Sequence, residues 1–273
     1  MLLTISHTTC YEFSGNVTHG LQRLRLTPKN THGQKIVAWD IDYAGACFEA
    51  EYDDQHHNHT TLVSVVPGTR QVRITCTGSV DTADKSGIIG HHTGHMPLWC
   101  FLCTTPLTQP GPSIRAMLSK VDADRTNPLE FLHALSHTIR EAVAYEPGLT
   151  DSRTTAEEAL TAGQGVCQDH AHIFISAGRL LDIPMRYSGG YLHMEGQVEQ
   201  DAGHGWAEAH VEGLGWIGFD VSNGIGPDER YVRVATGCDY SDAAPITGIA
   251  HGAGETELQV QLSVADEAQR QQQ

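Results

Sequence analysis

Cys167 lies in the run Gly163-Gln164-Gly165-Val166-Cys167-Gln168-Asp169-His170-Ala171-His172. The glycines permit a sharp, close-packed turn. Beyond it Ala171, Phe174, Ala177 or Gly178, and Leu181 recur every three or four residues, which marks a helix with one buried face. Cys167 is thereby expected at the N-terminus of that helix, where unpaired N–H groups and the positive end of the macrodipole stabilise a thiolate. A thiolate is the form of cysteine that attacks a carbonyl carbon. A lone cysteine is more often a small buried residue, so the assignment needs partners. The segment Gly203-His204-Gly205-Trp206-Ala207-Glu208-Ala209-His210-Val211 alternates as a strand, with His204, Trp206, Glu208 and His210 on one face. Gly213 and Gly215 mark a turn, and Trp216-Ile217-Gly218-Phe219-Asp220 runs back. Asp220 can then sit beside His204, orient its imidazole and stabilise the cation, which is triad logic on a cysteine nucleophile. The two are 16 positions apart, so they share a face only if the turn has odd length or carries a bulge. In that case both are expected to face the nucleophile helix.

Other chemistry-bearing groups carry weaker signals. Cys100-Phe101-Leu102-Cys103 has no second pair at zinc-ribbon spacing and lies in an apolar run, so it reads as packing. His56-His57-Asn58-His59 and His91-His92-Thr93-Gly94-His95 read as surface loops, because adjacent histidines rarely converge on one ion. His172 reads as a structural hydrogen-bonding residue, and Asp169 and Glu208 as supporting groups that tune the site without reacting. No metal and no cofactor is expected.

The elements that must hold these residues divide in two. The first hundred residues are β-rich: Leu2 to Ser6, Leu21 to Leu26, Ile36 to Ile41, Leu62 to Val66 and Val72 to Thr77 are short runs split by turn residues, as in a small sandwich or barrel. After the Pro- and Thr-rich stretch Thr104 to Pro112 the period changes. Asn127-Pro128 opens a helical pattern through Leu129, Phe131, Leu132, Leu135 and Ile139, with Asn127 as cap. Thr155 to Leu160 reads as a short helix. Strands return at Met185 to Leu192, His204 to Val211, Trp216 to Val221 and Leu258 to Val264. The expected partition is a β-rich domain over 1–105 and a catalytic domain over 106–273. Apart from the polar tail Gln269 to Gln273 there is no low-complexity block.

The run Gly165 to His172 resembles the nucleophile motif of bacterial transglutaminase-like proteins, a superfamily of cysteine-protease type. Ile183-Pro184-Met185-Arg186-Tyr187-Ser188-Gly189-Gly190-Tyr191-Leu192, His204-Gly205-Trp206-Ala207-Glu208, and Gly213 to Asp220 are similar to the following blocks of that family, in the same order. Gly237-Cys238-Asp239-Tyr240-Ser241-Asp242-Ala243-Ala244-Pro245 resembles its C-terminal signature, and Thr8 to Pro28 its N-terminal β domain. The resemblance implies an α+β fold: a β-rich sandwich or barrel, then a papain-like core with the nucleophile helix packed on an antiparallel sheet. It makes Cys167 the nucleophile, His204 the general base and acid, and Asp220 the orienting residue. Two segments depart from the pattern. Val221-Ser222-Asn223 stands where Pro-Thr-Asn is more usual, and Asp54 to His59 replaces a Gly-Asn turn. The family's aromatic oxyanion donor has only Tyr145 as a candidate, by rough position; the backbone N–H of Cys167 is the better one.

Composition narrows the partners. With 33 acidic against 17 basic residues the net charge is −16, a surface that repels phosphates, so neither nucleic acid nor a membrane is an expected partner. The N-terminus has no basic region and no long apolar run, and seven cysteines without a framework suit a reducing compartment, so a cytoplasmic protein is expected. The substrate implied is a peptide or protein, with hydrolysis favoured over amine transfer because nothing marks a dedicated amine site. The oligomeric state stays open. The rival readings are a non-catalytic binding module that keeps the fold, and a metal-binding protein using the histidine clusters.

Overall fold

A computed structural model describes residues 1–270 of the chain, so positions 271–273 of the polar tail lie outside it. The fold is α+β. The β-rich part is a sandwich of two antiparallel sheets. One has the strand order Glu199–Gln200, Thr256–Asp266, Leu2–Phe13, Gln71–Thr82, Gln34–Ala44; the other runs Ile246–His251, His19–Leu24, His59–Val65, Ala46–Asp53. Alternation along these strands sends Val72, Ile74, Cys76, Phe13, Leu24, Val63 and Val65 between the sheets, where they form a closed apolar core.

Two strands in this sandwich come from the far end of the chain. Thr256–Asp266 pairs with Leu2–Phe13 over eleven positions, and Ile246–His251 pairs with His19–Leu24. The chain therefore leaves the sandwich, builds the second part and returns to complete both sheets. The strand seen at Leu258 to Val264 in the sequence is thus an N-terminal-sheet strand, although it lies in the segment expected to be catalytic. Sequence patterning missed Ala46–Asp53 and Ile246–His251, which are largely exposed and carry little apolar alternation.

The second part has a five-stranded antiparallel sheet ordered Tyr231–Gly237, Met185–Leu192, His204–Val211, Gly215–Phe219, Ile88–Gly90. Helices cover one face. Pro128–Ala142 begins where its sequence says it should: the Asn127 side chain accepts from the N–H of Glu130, and proline takes the first helical position, which needs no donor. Ala156–Ala162 starts at a Thr155–Glu158 capping box. The central helix, Cys167–Arg179, is buried from Asp169 onward. Phe131, Leu132, Leu135, Ile173, Phe174, Ala207, Ala209 and Phe219 share one core with Leu3, Ile5, Val80, Leu262 and Val264 of the larger sandwich sheet. Fully burying each such leucine, isoleucine or phenylalanine contributes about 1.5–3 kcal/mol. The sandwich and the helical layer are thus packed through a common interior. No helix among the described residues is long and apolar enough to cross a membrane.

Candidate active site

The approach to Cys167 is set by a chain of local requirements. Gly163 ends the preceding helix in the left-handed conformation, φ 71°. Gln164–Gly165 then pairs in parallel with Ala144–Tyr145. A Cβ on Gly165 would stand 2.7 Å from the Asp169 side chain, so only glycine fits this turn. Val166 is extended, and Cys167 is the first helical residue. Asp169 closes the first turn: its Oδ2 accepts from the N–H of Val166 at 2.8 Å and from the hydroxyl of Thr150 at 2.7 Å. The sequence thus places the thiol at the helix N-terminus, where the first N–H groups have no intrahelical acceptor.

His204 opens the strand His204–Val211, and Asp220 directly follows Gly215–Phe219. These strands pair with Val211 opposite Gly215 and Ala207 opposite Phe219. The loop Glu212-Gly213-Leu214 therefore has odd length, with Gly213 and Gly215 both near φ 82°. Odd length satisfies the register condition without a bulge between the two strands. The Nε2–H of His204 donates to Asp220 Oδ2 at 2.6 Å. The Cys167 thiol stands close enough to the same ring to act on it electrostatically, and with Nε2 engaged by Asp220 the nitrogen left to face sulfur is Nδ1.

The orientation differs from expectation in one respect. Ala207, Ala209 and Phe219 point into the helical core, with Phe174 on the helix and Phe219 on the strand at a ring separation of 5.1 Å. By alternation, His204 and Asp220 share the opposite face with Trp206 and Tyr231. Cys167 reaches His204 because each residue begins its own element: contact is made at the ends of the helix and strand, not across the packed layer.

The carboxylate is fully buried and tightly held. Besides His204, its Oδ2 accepts from Tyr231 Oη at 2.6 Å and Asn223 Nδ2 at 2.7 Å, and its Oδ1 accepts from the Asn223 N–H at 3.2 Å. Burial alone would raise its pKa; the His204 hydrogen bond and charge, with Tyr231 and Asn223, hold it below the usual range. Burial works against a charged His204 as well, but the hydrogen bonds and charges of Asp220 and Cys167 overcome it and push the ring up to about 10. The pair is therefore arranged to keep an imidazolium beside the thiol. Asn223 carries a local signal, an Asp-x-x-Asn turn after a strand. Tyr231 carries none, because only the neighbouring strand brings it over Asp220.

The remaining residues separate clearly. His170 spends Nε2–H on the carbonyl of Val143 at 3.0 Å and takes the Ser222 hydroxyl on Nδ1 at 2.7 Å. The serine that departs from the family pattern thus still holds that ring. His172 accepts from the N–H of Tyr240 at 3.1 Å, and burial pushes it down to about 4, as suits a structural histidine. Glu208 is fully buried between Arg186 and Arg233, which overcome its desolvation and hold it at about 2. Tyr145 is half exposed and pairs with Gly165, two residues before Cys167. The histidine clusters line a separate open cavity of about 1030 Å³. There the His57 and His95 rings lie tilted to one another with centroids 5.0 Å apart, and His92 is held between the carbonyl of Met96 and the indole of Trp216.

Cys167 and His204 open onto a mainly apolar cavity of about 230 Å³, shaped by Leu26, Tyr187, Tyr191 and Tyr240. A thiol and an imidazole at the mouth of such a cavity, backed by a buried carboxylate, can carry out nucleophilic attack on an acyl carbon.

Residues 115–221 match the family model of the transglutaminase-like superfamily, and residues 3–81 match that of the bacterial transglutaminase-like N-terminal region. An uncharacterized protein of Mycobacterium leprae is 26% identical over 280 residues, covering 96% of this chain and 98% of its own. An uncharacterized protein of Mycobacterium tuberculosis is 29% identical over 273 residues, covering 90% of this chain and 86% of its own. The crystal structure of "a Putative Cysteine Protease from Cytophaga hutchinsonii" superposes with a TM-score of 0.76 at 22% identity, covering 97% of this chain and 91% of that one; it shares the fold.

Proposed function

We propose that this member of the transglutaminase-like superfamily is a thiol-dependent acyl-transfer enzyme acting on peptide or glutamine-type amide bonds, with hydrolysis favoured over cross-linking. Cys167 is the nucleophile, His204 the base and acid, and Asp220 the orienting carboxylate. The observation that carries the reading is that Cys167, at the start of its helix, shares one cavity with His204, whose Nε2 is 2.6 Å from the buried Asp220 carboxylate.

In this mechanism the thiolate of Cys167 attacks the amide carbon and forms the C–S bond, while the carbonyl oxygen takes the negative charge. The free backbone N–H of Cys167 at the helix start is the oxyanion donor. Collapse breaks the C–N bond, and Nδ1–H of His204 protonates the departing amine or ammonia. Nδ1 then deprotonates a water that attacks the thioester, releasing the carboxylic acid and the thiol. Asp220 stays ionised throughout, fixing the ring so that Nδ1 faces sulfur. The seven free cysteines fit a cytoplasmic setting for such an enzyme.

The test is incubation with a peptide library that includes glutamine-containing members, read by mass spectrometry. The reading expects an acyl adduct on Cys167, followed by new peptide termini or glutamate in place of glutamine. Both are lost in Cys167→Ala. Equal peptide affinity of wild type and Cys167→Ala with no adduct and no product would instead identify a binding module.

A further inference from the structure

One side-chain cluster is left unused by this chemistry. His56, Cys238 and Asp242 each offer a donor atom, and the three atoms lie within 4.8 Å of one another. We propose that they form a binding site for a borderline-soft divalent transition metal, zinc foremost, separate from the Cys167 centre.

The donors converge from parts of the chain about 180 positions apart, which is why spacing gave no hint of them. His56 lies in the Asp54–His59 turn, the segment that departs from the family's Gly-Asn pattern. That turn is firmly built: Asp54 Oδ1 accepts from the N–H groups of His56 and Asn58, and Asn58 ties it to Thr236 on the core sheet through Nδ2 at 2.8 Å. His56 is buried, and its Nδ1 has no hydrogen-bond partner among the described residues. The ring is therefore positioned mainly by packing, Phe101 standing 6.0 Å away. Cys238 precedes the short helix Tyr240–Ala243 and Asp242 lies within it, and the N–H of Cys238 donates to Asp242 Oδ2 at 3.0 Å.

Geometry and donor chemistry agree. In a tetrahedral zinc site, with bonds of about 2.0–2.3 Å, neighbouring donors lie about 3.3–3.6 Å apart. His56 Nε2 and Asp242 Oδ2 are already 3.3 Å apart. The Cys238 sulfur lies within 4.8 Å of both, so closing the set draws it in by at most about 1.5 Å. One nitrogen, one sulfur and one oxygen leave the fourth position for water, and a thiolate with an imidazole favours zinc over magnesium or calcium. Arg25, Arg179, Asp239 and Cys100 also act electrostatically on Cys238 or Asp242, so the two arginines are offset by nearby acidic groups. Binding replaces the Cys238 S–H bond with a sulfur–metal bond and releases that proton to solvent.

The test uses Cys167→Ala as parent, which removes the active-site thiol, while the Cys238→Ser derivative separates Cys238 from the five other cysteines that remain. Titration with Co²⁺ should give a thiolate-to-cobalt charge-transfer band that saturates at one ion per chain and is bleached by Zn²⁺. In the Cys238→Ser derivative the band should be absent. In the Asp242→Asn and His56→Gln derivatives the dissociation constant should rise at least tenfold. No band in the parent, or an unchanged band after Cys238→Ser, overturns the site. If Cys238→Ser does not fold by near-ultraviolet circular dichroism, the other two derivatives decide: unchanged affinity in both overturns it equally.

Discussion

Nε2 of His204 and Oδ2 of Asp220 meet at 2.6 Å across a hairpin whose three-residue loop, Glu212 to Leu214, gives the odd register they require. Lengthening that loop by one residue would shift the pairing register and turn one of the two side chains to the other face of the sheet. The relationship is therefore a property of the turn as much as of the two residues.

Asp220→Asn is expected to lower kcat by about 10²–10⁴-fold through loss of imidazole orientation, less than Cys167→Ala, which should abolish turnover. It should also lower His204 from about 10 toward its ordinary value, because the charge of Asp220 and its hydrogen bond to the cation are lost while only the influence of Cys167 remains. Histidine NMR titration reads this directly. The linked stability has a defined sign. A raised histidine contributes fully below about pH 6.5, and the contribution is lost as pH climbs through about 10. Wild type should therefore lose thermal stability relative to Asp220→Asn across that interval. A His204 that titrates alike in both proteins would sink the assignment.

Cys167 should alkylate with iodoacetamide faster at about pH 6 than the other six cysteines, since it begins a helix beside His204. The contrast should be sharpest with Cys76 and Cys238, whose thiols burial pushes up to about 12 and about 11. Peptide mapping after a brief pulse measures the order. Equal labelling of Cys167 and the exposed Cys47 and Cys103 removes the nucleophile.

Tyr231→Phe keeps the ring that packs 5.5 Å from Trp206 but deletes one of three donors to Asp220 Oδ2. A hydrogen bond to a charged acceptor is worth about 1.5–3 kcal/mol, so kcat should fall about 10–100-fold with KM little changed. The Asp220 carboxyl should titrate higher than in wild type. A fall in stability alone, without the kinetic change, would make Tyr231 purely a packing residue.

Much of this site is legible in the sequence because its parts are local. The glycine turn, the cap at Cys167 and the strand–turn–strand around Gly213 and Gly215 each obey short-range rules. What escapes is tertiary. Tyr231 and the Arg186–Glu208–Arg233 cluster are brought together by strand order, which alternation cannot give. The face on which His204 and Asp220 lie escapes for the same reason: the small residues Ala207 and Ala209, not the polar ones, are what the helix packs against. Exposed strands such as Ala46–Asp53 leave no apolar period to read.

The expected 1–105 and 106–273 partition is proposed as a division of labour, scaffold against chemistry. Thr256–Asp266 hydrogen-bonds to Leu2–Phe13, and Leu262 and Val264 lie in the common core. Expressed alone, residues 106–273 should consequently expose an eleven-residue strand paired only with Glu199–Gln200, and associate or remain partly unfolded. Co-expression with residues 1–105 should restore a soluble complex. A monomeric 106–273 fragment with native-like near-ultraviolet circular dichroism would show two independent folding units.

Glu208 supplies the sharpest control on the triad, because it is an acid on the same strand face as His204 and fully buried. Its two arginine partners make it a structural carboxylate: Arg233 Nε donates to Glu208 Oε1 at 2.7 Å, and Arg186, stacked 3.9 Å over Trp216, donates to Oε2. Glu208→Gln leaves two buried guanidinium groups without their anion, and breaking such an arrangement costs about 3–5 kcal/mol. Thermal melts should show a large loss at neutral pH. The sign with pH follows from the depressed carboxyl: its contribution is present above about 4.5 and is lost as pH falls through about 2, so wild type and Glu208→Gln should converge in strong acid. At a temperature where Glu208→Gln remains folded, Cys167 should still alkylate rapidly and His204 should still titrate near 10. Loss of the fast thiol reaction in a folded Glu208→Gln, together with a silent Asp220→Asn, would move the third triad position from Asp220 to Glu208.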